Sequence, residues 1–478
     1  MVRFKQYVRQ IISSDFTYGF GIGLVYFGYI FSWMWSLYPL EMAGIANPWL
    51  AFTLILIAFL LSVIVLALPW GFFSWLLNNG LHYKHWTTPF AIAGIFTLLE
   101  YCRSWLFGIL WLGDGSILGP LWTFGNIAYW FSDIPWITRT AAVWGMYGIT
   151  FLVTLFIALL FSTFRQRSLS TKLSIQWTVF LLITVLGFTP ARGQYLNAID
   201  VAVVQTNNPT RPTYTQNEII DDFQKKLTLI SSAAKQLPGG GIILLPEGAG
   251  LSTGFSSLLT PNQLREYLMK LSPQGITIIN NGKVMVDNNI ISRTQAITPE
   301  ENNLEYHDKR TLSPWGEFRP YIAKFVLRLF GLKASIENEL MPGYAQGPLA
   351  VPQGLFSIAI CSEIFAPQRQ AAEAILGMGS LGFFDGNTLV ESQVLSAARM
   401  RAAENQKYLV WASNAGRSYF INDRGNTIKI TSQPGYEILT GTIVSNNIRT
   451  WYNLLGDWPI LIVSLAVSFL ALKRRNDK

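Results

Sequence analysis

A multi-span α-helical membrane domain followed by an α/β domain is the architecture that this sequence predicts. Three observations carry it. Apolar runs of about 20 residues, enough to cross roughly 30 Å of hydrocarbon, recur through the first 190 residues. Only 13% of the residues are charged, about half the share of an ordinary soluble domain. Between residues 191 and 455 the composition changes, and short β-type runs alternate with polar stretches of helical period.

The membrane runs fall near 16–38, 49–77, 88–107, 139–164 and 173–190, with one more at 457–472. Segment 108–137 is rich in Gly, Trp and Pro and reads as an interfacial or re-entrant loop. The first run is too long for the core of a signal peptide, so it is expected to stay as a span. These runs divide the chain into a membrane domain of about five helices (1–190), a middle domain (191–455) and a last helix with a basic tail (456–478).

Lysine and arginine set the orientation. Arg3, Lys5 and Arg9 precede the first run, and Lys84 follows the second. Arg165, Arg167 and Lys172 separate the fourth and fifth, and Lys473, Arg474, Arg475 and Lys478 end the chain. Loops 39–48 and 108–138 hold neither residue type. The positive side is cytoplasmic, which places 191–455 outside. The net charge of +8 therefore belongs to membrane flanks and not to a nucleic-acid surface.

In the middle domain "IDVAVVQTN", "GIILLPE", "ITIIN", "FSIAIC", "KYLVWASN" and "EILTGTIV" read as strands. Segments 216–236, 261–271 and 390–406 read as helices. Two cysteines and three histidines exclude a disulfide framework or a zinc pattern.

Three polar residues stand at the ends of apolar or structured runs. Cys361 closes "FSIAIC" and is followed by Ser362 and Glu363. A strand that ends in a turn can expose a nucleophile to backbone N–H groups; the plainer reading is a buried core cysteine. Glu247 closes "GIILLPE", where partial desolvation suits a general base; the plainer reading is a loop carboxylate. Lys309 lies in "HDKRTLSPWGEFRPY", where a fixed ammonium can offset oxyanion charge; the plainer reading is a solvated loop. Glu317 either holds the lysine or shares the base role, and His307 competes as the partner of the thiol.

The order Glu, Lys, Cys, each in its own setting, resembles the nitrilase (carbon–nitrogen hydrolase) superfamily. "LPEGAG", "HDKRTLSPWGEF" and "AICSE" are similar to its three catalytic motifs, and the resemblance covers about residues 197–447. It implies a nitrilase-type αββα sandwich. Within the superfamily the chain is most similar to the apolipoprotein N-acyltransferase family. "GFGIGLVYFGYIFSWMWSL", "VWGMYGITFLV" and "GDWP" resemble that branch's membrane segments.

The resemblance implies a fatty-acyl transfer. Its donor is a membrane phospholipid, its carrier a Cys361 thioester, and its acceptor the N-terminal amine of a diacylglyceryl-cysteine apolipoprotein. Glu247 would be the base, and Lys309 with the Ser362 N–H would hold the oxyanion. Glu317 and Glu363 would support the site, and no metal or diffusible cofactor would be needed. The implied place is the bacterial inner membrane, with the catalytic domain on the extracytoplasmic side and the protein a monomer. The rival reading is a membrane-tethered nitrilase-type amidase or hydrolase.

The chain departs from the family pattern at four places. The family pattern leads one to expect about two further N-terminal spans, and Ser362 stands where an aromatic residue is usual. The loop "GSLGFFDGNTLVES" is short and lacks Trp, with Phe383, Phe384 and Asp385 as partial substitutes. Tyr214 is the nearest aromatic where a tryptophan is expected. Elsewhere, Cys102 reads as a packing residue, and Glu100 with Arg103 as a pair at the membrane edge. The glycines of "GFGIG" read as helix-packing positions. Asn280, Asn281, Asn288 and Asn289 read as turn residues. Asn414, Arg401 and Glu404 read as structural.

Overall fold

The structure is a computed structural model. It describes residues 14–43, 45–81, 86–166, 170–208, 214–237, 239–251, 260–271, 275–298, 305–329, 331 and 339–473. His82 and His85, with the basic residues Arg3, Lys5, Arg9, Lys84, Arg167, Arg474, Arg475 and Lys478, lie outside the described residues.

The apolar runs form helices Ser14–Ile30, Pro48–Gly80, Thr88–Leu110, Ala141–Gln166, Thr171–Leu186 and Trp458–Lys473. Among the described residues, the second, third and fourth are long and apolar enough to cross a bilayer. The first run breaks earlier than expected. Its α-helix stops at Ile30, and Ser32–Leu37 winds as a 3₁₀ turn. The Ile30 carbonyl accepts from Gln393 Nε2 at 3.1 Å, and Pro39 cannot continue a helix. Gly19 and Gly23 sit where a Cβ would strike Ser74 and Ala67. Small residues four apart thus let the first two helices approach closely, while Gly21 faces open space. Cys102 is exposed on the third helix and is not a packing residue.

The middle domain holds two six-stranded sheets. The first contains β1 (Tyr195–Gln205), β2 (Gly241–Leu244), β3 (Ile276–Val286), β4 (Asn289–Ile297), β5 (Tyr306–Asp308) and β12 (Glu437–Asn446), in the order β12-β1-β2-β3-β4-β5. The second contains β6 (Leu349–Val351), β7 (Gly354–Ile360), β8 (Ala374–Ser380), β9 (Leu409–Asn414), β10 (Tyr419–Ile421) and β11 (Thr427–Ile430), in the order β11-β10-β9-β8-β7-β6.

Alternation of side chains along each strand builds the layers. In the first sheet, Val201, Val203, Ile242 and Leu244 face inward to meet Phe356, Ile358, Leu376 and Val410 of the second. Ala202, Val204 and Ile243 face outward onto Ile230 and Ala233 of helix Gln216–Lys235. That helix begins with a capping box between Thr215 and Glu218. On the far side, Ile375, Leu409 and Trp411 meet Ala397 and Met400 of helix Thr388–Asn405. The result is an αββα sandwich.

A fifth layer belongs to the membrane bundle. Met146, Ile149 and Leu155 of helix Ala141–Gln166 share one apolar core with the Thr388–Asn405 helix. The α/β domain is therefore packed onto the bundle along a continuous seam.

Candidate active site

β7 delivers Cys361. The chain leaves the strand at Ile360, takes φ +50° at Cys361, and winds into a 3₁₀ turn to Phe365. A left-handed φ at a non-glycine residue costs on the order of 1 kcal/mol, so the surroundings must hold it. Glu363 does so. Its Oε2 accepts from Ile360 N at 3.0 Å, and its Oε1 accepts from Arg310 N at 2.7 Å and Thr311 N at 3.3 Å. The Ser362 hydroxyl donates to the Thr311 carbonyl at 2.5 Å. Both side chains tie the cysteine turn to the lysine loop.

Glu247 follows β2 in a turn that needs left-handed Gly248 (φ +74°) and Gly250 (φ +61°). Asn281 braces this turn from β3. Its Oδ1 accepts from Gly248 N at 3.0 Å and its carbonyl from Gly250 N at 2.9 Å. Its Nδ2 donates to Ser292 and Thr294 on β4. Asn280 and Asn281 are thus buried strand residues and not turn residues. An Asn inside "ITIINN" carries no local sign of that role.

Lys309 follows β5, anchored by its N–H to the Ser292 carbonyl at 2.8 Å. Its Nζ donates to Glu247 Oε1 at 2.9 Å and to Glu317 Oε1 at 2.8 Å. Glu317 Oε2 accepts from Ser313 N at 2.7 Å, which folds the "LSPWGEF" loop back onto the lysine. The Cys361 thiol lies within electrostatic reach of Glu247, Lys309 and Glu317. Cys361, Glu247, Lys309 and Glu317 therefore converge. His307 does not join them: its Nδ1 lies 3.0 Å from the Gly347 carbonyl, and its Nε2 lies 3.9 Å from Glu363.

The electrostatics follow from burial. Lys309 is fully buried, which alone would lower its pKa; Glu247 and Glu317 outweigh that and hold the ammonium well above its usual range. Burial pushes the Cys361 thiol up, the Glu247 charge adds to this, and Lys309 opposes it. Burial and the neighbouring carboxylate thus favour the protonated form of the sulfur. Among the described residues no group of three or more His, Cys, Asp or Glu could hold a metal ion.

The membrane domain roofs this site. Thr123 donates to the Phe365 carbonyl at 2.9 Å and lies 2.6 Å from the Tyr129 hydroxyl. The Phe124 and Phe365 rings are 4.2 Å apart. Arg103 fixes this loop by donating to the Phe124 carbonyl at 2.7 Å, while its own charge is held by Glu100 at 2.9 Å. That pair is buried among helices, not placed at a membrane edge, because the loop, Trp70 and Asn126 all close over it. Phe384 of the shortened loop packs on Trp33 at 5.1 Å.

Fold and site together define a nitrilase-type domain seated on a membrane bundle. Residues 200–453 match the carbon-nitrogen hydrolase family, and residues 6–159 match the apolipoprotein N-acyltransferase N-terminal domain. A relative named Apolipoprotein N-acyltransferase from Synechocystis sp. is 24% identical, with 98% of this chain and 92% of the relative covered. One of that name from Haemophilus ducreyi is 27% identical, covering 87% and 82%. A third, from Coxiella burnetii, is 26% identical over 80% and 77%. The chain belongs to the carbon-nitrogen hydrolase superfamily, in its apolipoprotein N-acyltransferase family.

Proposed function

We propose that the protein transfers a fatty acyl chain from a membrane phospholipid, through a Cys361 thioester, to the N-terminal amine of a diacylglyceryl-cysteine apolipoprotein. The observation that carries this reading is the convergence of Cys361, Glu247 and Lys309 beneath a roof contributed by the membrane domain. The relatives' shared name supports the acceptor class.

In the first half-reaction Glu247 takes the thiol proton as sulfur attacks the ester carbonyl. The C–S bond forms, and negative charge collects on the carbonyl oxygen. Two of the three Lys309 protons are held by Glu247 and Glu317. The third and the Ser362 N–H serve the oxyanion. The C–O bond then breaks, and the lysophospholipid leaves with the proton from Glu247. In the second half-reaction the amine attacks the thioester, and Glu247 receives its proton and returns it to the sulfur as the C–S bond breaks, leaving an amide and the Cys361 thiol. Glu317 keeps Lys309 in place, while Glu363 and the Ser362 side chain keep the turn in place. The position beside lipid favours an amine acceptor over water. The site faces the extracytoplasmic side of a bacterial inner membrane, and the protein acts as a monomer.

The test is intact mass spectrometry of the purified protein after mixing with phospholipid. A mass gain of one acyl group is expected, lost in Cys361→Ala. Adding a diacylated lipopeptide should discharge it into a triacylated product. Release of free fatty acid without that product would overturn the reading in favour of a hydrolase.

A further inference from the structure

A cleft of about 130 Å³ lies far from the thiol, lined by Arg139, Pro190, Ala191, Tyr195, Asp423 and Arg424 among others. Its place is set by the chain. Arg139 stands two residues before helix Ala141–Gln166, and Pro190 and Ala191 join helix Thr171–Leu186 to β1. Just below it Leu182, Val185 and Leu186 are exposed apolar residues. The cleft thus sits at headgroup depth, where the apolar bundle meets the α/β domain. It is also remote from the catalytic turn. β7, β8 and β9 run parallel. Cys361 follows the carboxyl end of β7, whereas the cleft residue Gln406 precedes the amino end of β9.

We propose that this cleft binds the phosphate of a glycerophospholipid headgroup between Arg139 and Arg424. Both guanidiniums are exposed side chains, and among the described residues neither forms a salt bridge. Planar guanidinium forks match phosphate oxygens and bind them by paired charge-assisted bonds. Arg139 is oriented by the Phe188 ring, 5.7 Å from its Cζ. Asp423 is the one acid in the lining, and its Oδ2 accepts the Tyr195 hydroxyl at 2.6 Å. Its other oxygen suits the ammonium of an ethanolamine headgroup. The acyl chains then run down the exposed face of Val185 and Leu186. This lipid is a bound neighbour and not the acyl donor, so the proposal stands apart from the reading of Cys361.

The experiment uses the full chain in detergent, in a Cys361→Ala background so that nothing turns over. Phosphatidylethanolamine is titrated and bound lipid counted by native mass spectrometry. Arg139→Gln with Arg424→Gln should weaken one binding event roughly tenfold. Millimolar inorganic phosphate should not displace that lipid. Unchanged binding in the double variant overturns the site, and displacement by phosphate overturns the headgroup assignment. If the double variant fails to fold, Arg424→Gln alone, in an exposed turn, should weaken the same event about threefold. Equal binding there overturns the proposal.

Discussion

Two of the buried ion clusters are made of similar ingredients and differ in one respect. At the cysteine turn, Lys309 is fully buried between Glu247 and Glu317, whose side chains stay 15% and 16% exposed. At the seam with the membrane bundle, Arg401 meets Glu404 at 2.7 Å, with the side chains at 2% and 0% exposure. Glu404 also accepts from Met146 N at 2.9 Å, where a left-handed Gly145 (φ +67°) breaks helix Ala141–Gln166. It therefore caps the helix that restarts there. The first cluster is open on one side and stands beside the Cys361 thiol. The second is sealed and holds two domains together. Access, more than charge content, separates a candidate for chemistry from a staple.

The largest effects test the open cluster. Cys361→Ala should abolish lipopeptide acylation. Glu247→Gln and Lys309→Met should each lower it by on the order of a thousandfold or more. Chromatographic assay of the triacylated product measures all three. Near-normal acylation in any of them would remove the distinction drawn above.

The sealed cluster should answer in stability instead. Arg401→Met leaves Glu404 buried without its cation, at a cost of about 3–5 kcal/mol. Thermal melts should show a clear drop, while turnover per folded molecule stays within about twofold of wild type. A collapse of turnover with an unchanged melt would mean that the seam takes part in chemistry.

Between the two clusters runs the roof, and Thr123 is its polar link. Thr123→Val removes the bond to the Phe365 carbonyl and leaves that acceptor short of a partner. A loss of about 1 kcal/mol is expected. It should appear as a roughly fivefold lower kcat with KM unchanged, and Thr123→Ser should restore it. Equal kcat in Thr123→Val would limit the roof to packing by Phe124.

Part of this was legible in the residues and part was not, for physical reasons. Glu247 and Cys361 stand where apolar runs stop, so a local reading reaches them. Asn281 and Thr123 act through partners 33 and 242 residues away, and nothing next to them in sequence says so. β8 escaped the strand reading because Gly377 and Gly379 dilute its β character. The structure explains them: a Cβ at either would fall 2.3 or 2.6 Å from the Trp411 ring, which lies across the strand. Helix Tyr321–Leu329 was hidden beside the prolines of the lysine loop. The six apolar runs were plain, yet only packing shows that the first stops at Ile30.

The remaining effect is a pH slope at the seam. Burial pushes Glu404 up from its ordinary value of 4.5 to about 7; the charge of Asp457 adds to the rise, while Arg401 and the Met146 N–H oppose it. In the unfolded chain the same carboxyl loses its proton near 4.5. Between these two values the folded state holds more protons, so stability falls as pH rises through that window. Glu404→Gln has no proton to lose. The difference in melting temperature, wild type minus variant, should therefore decline from about pH 4.5 to about pH 7 and level off above. A difference that stays flat or climbs would mean that Glu404 is already charged in the folded protein. The seam would then resemble the lysine cluster in its ionisation as well as in its ingredients, and exposure alone would have to account for their separate roles.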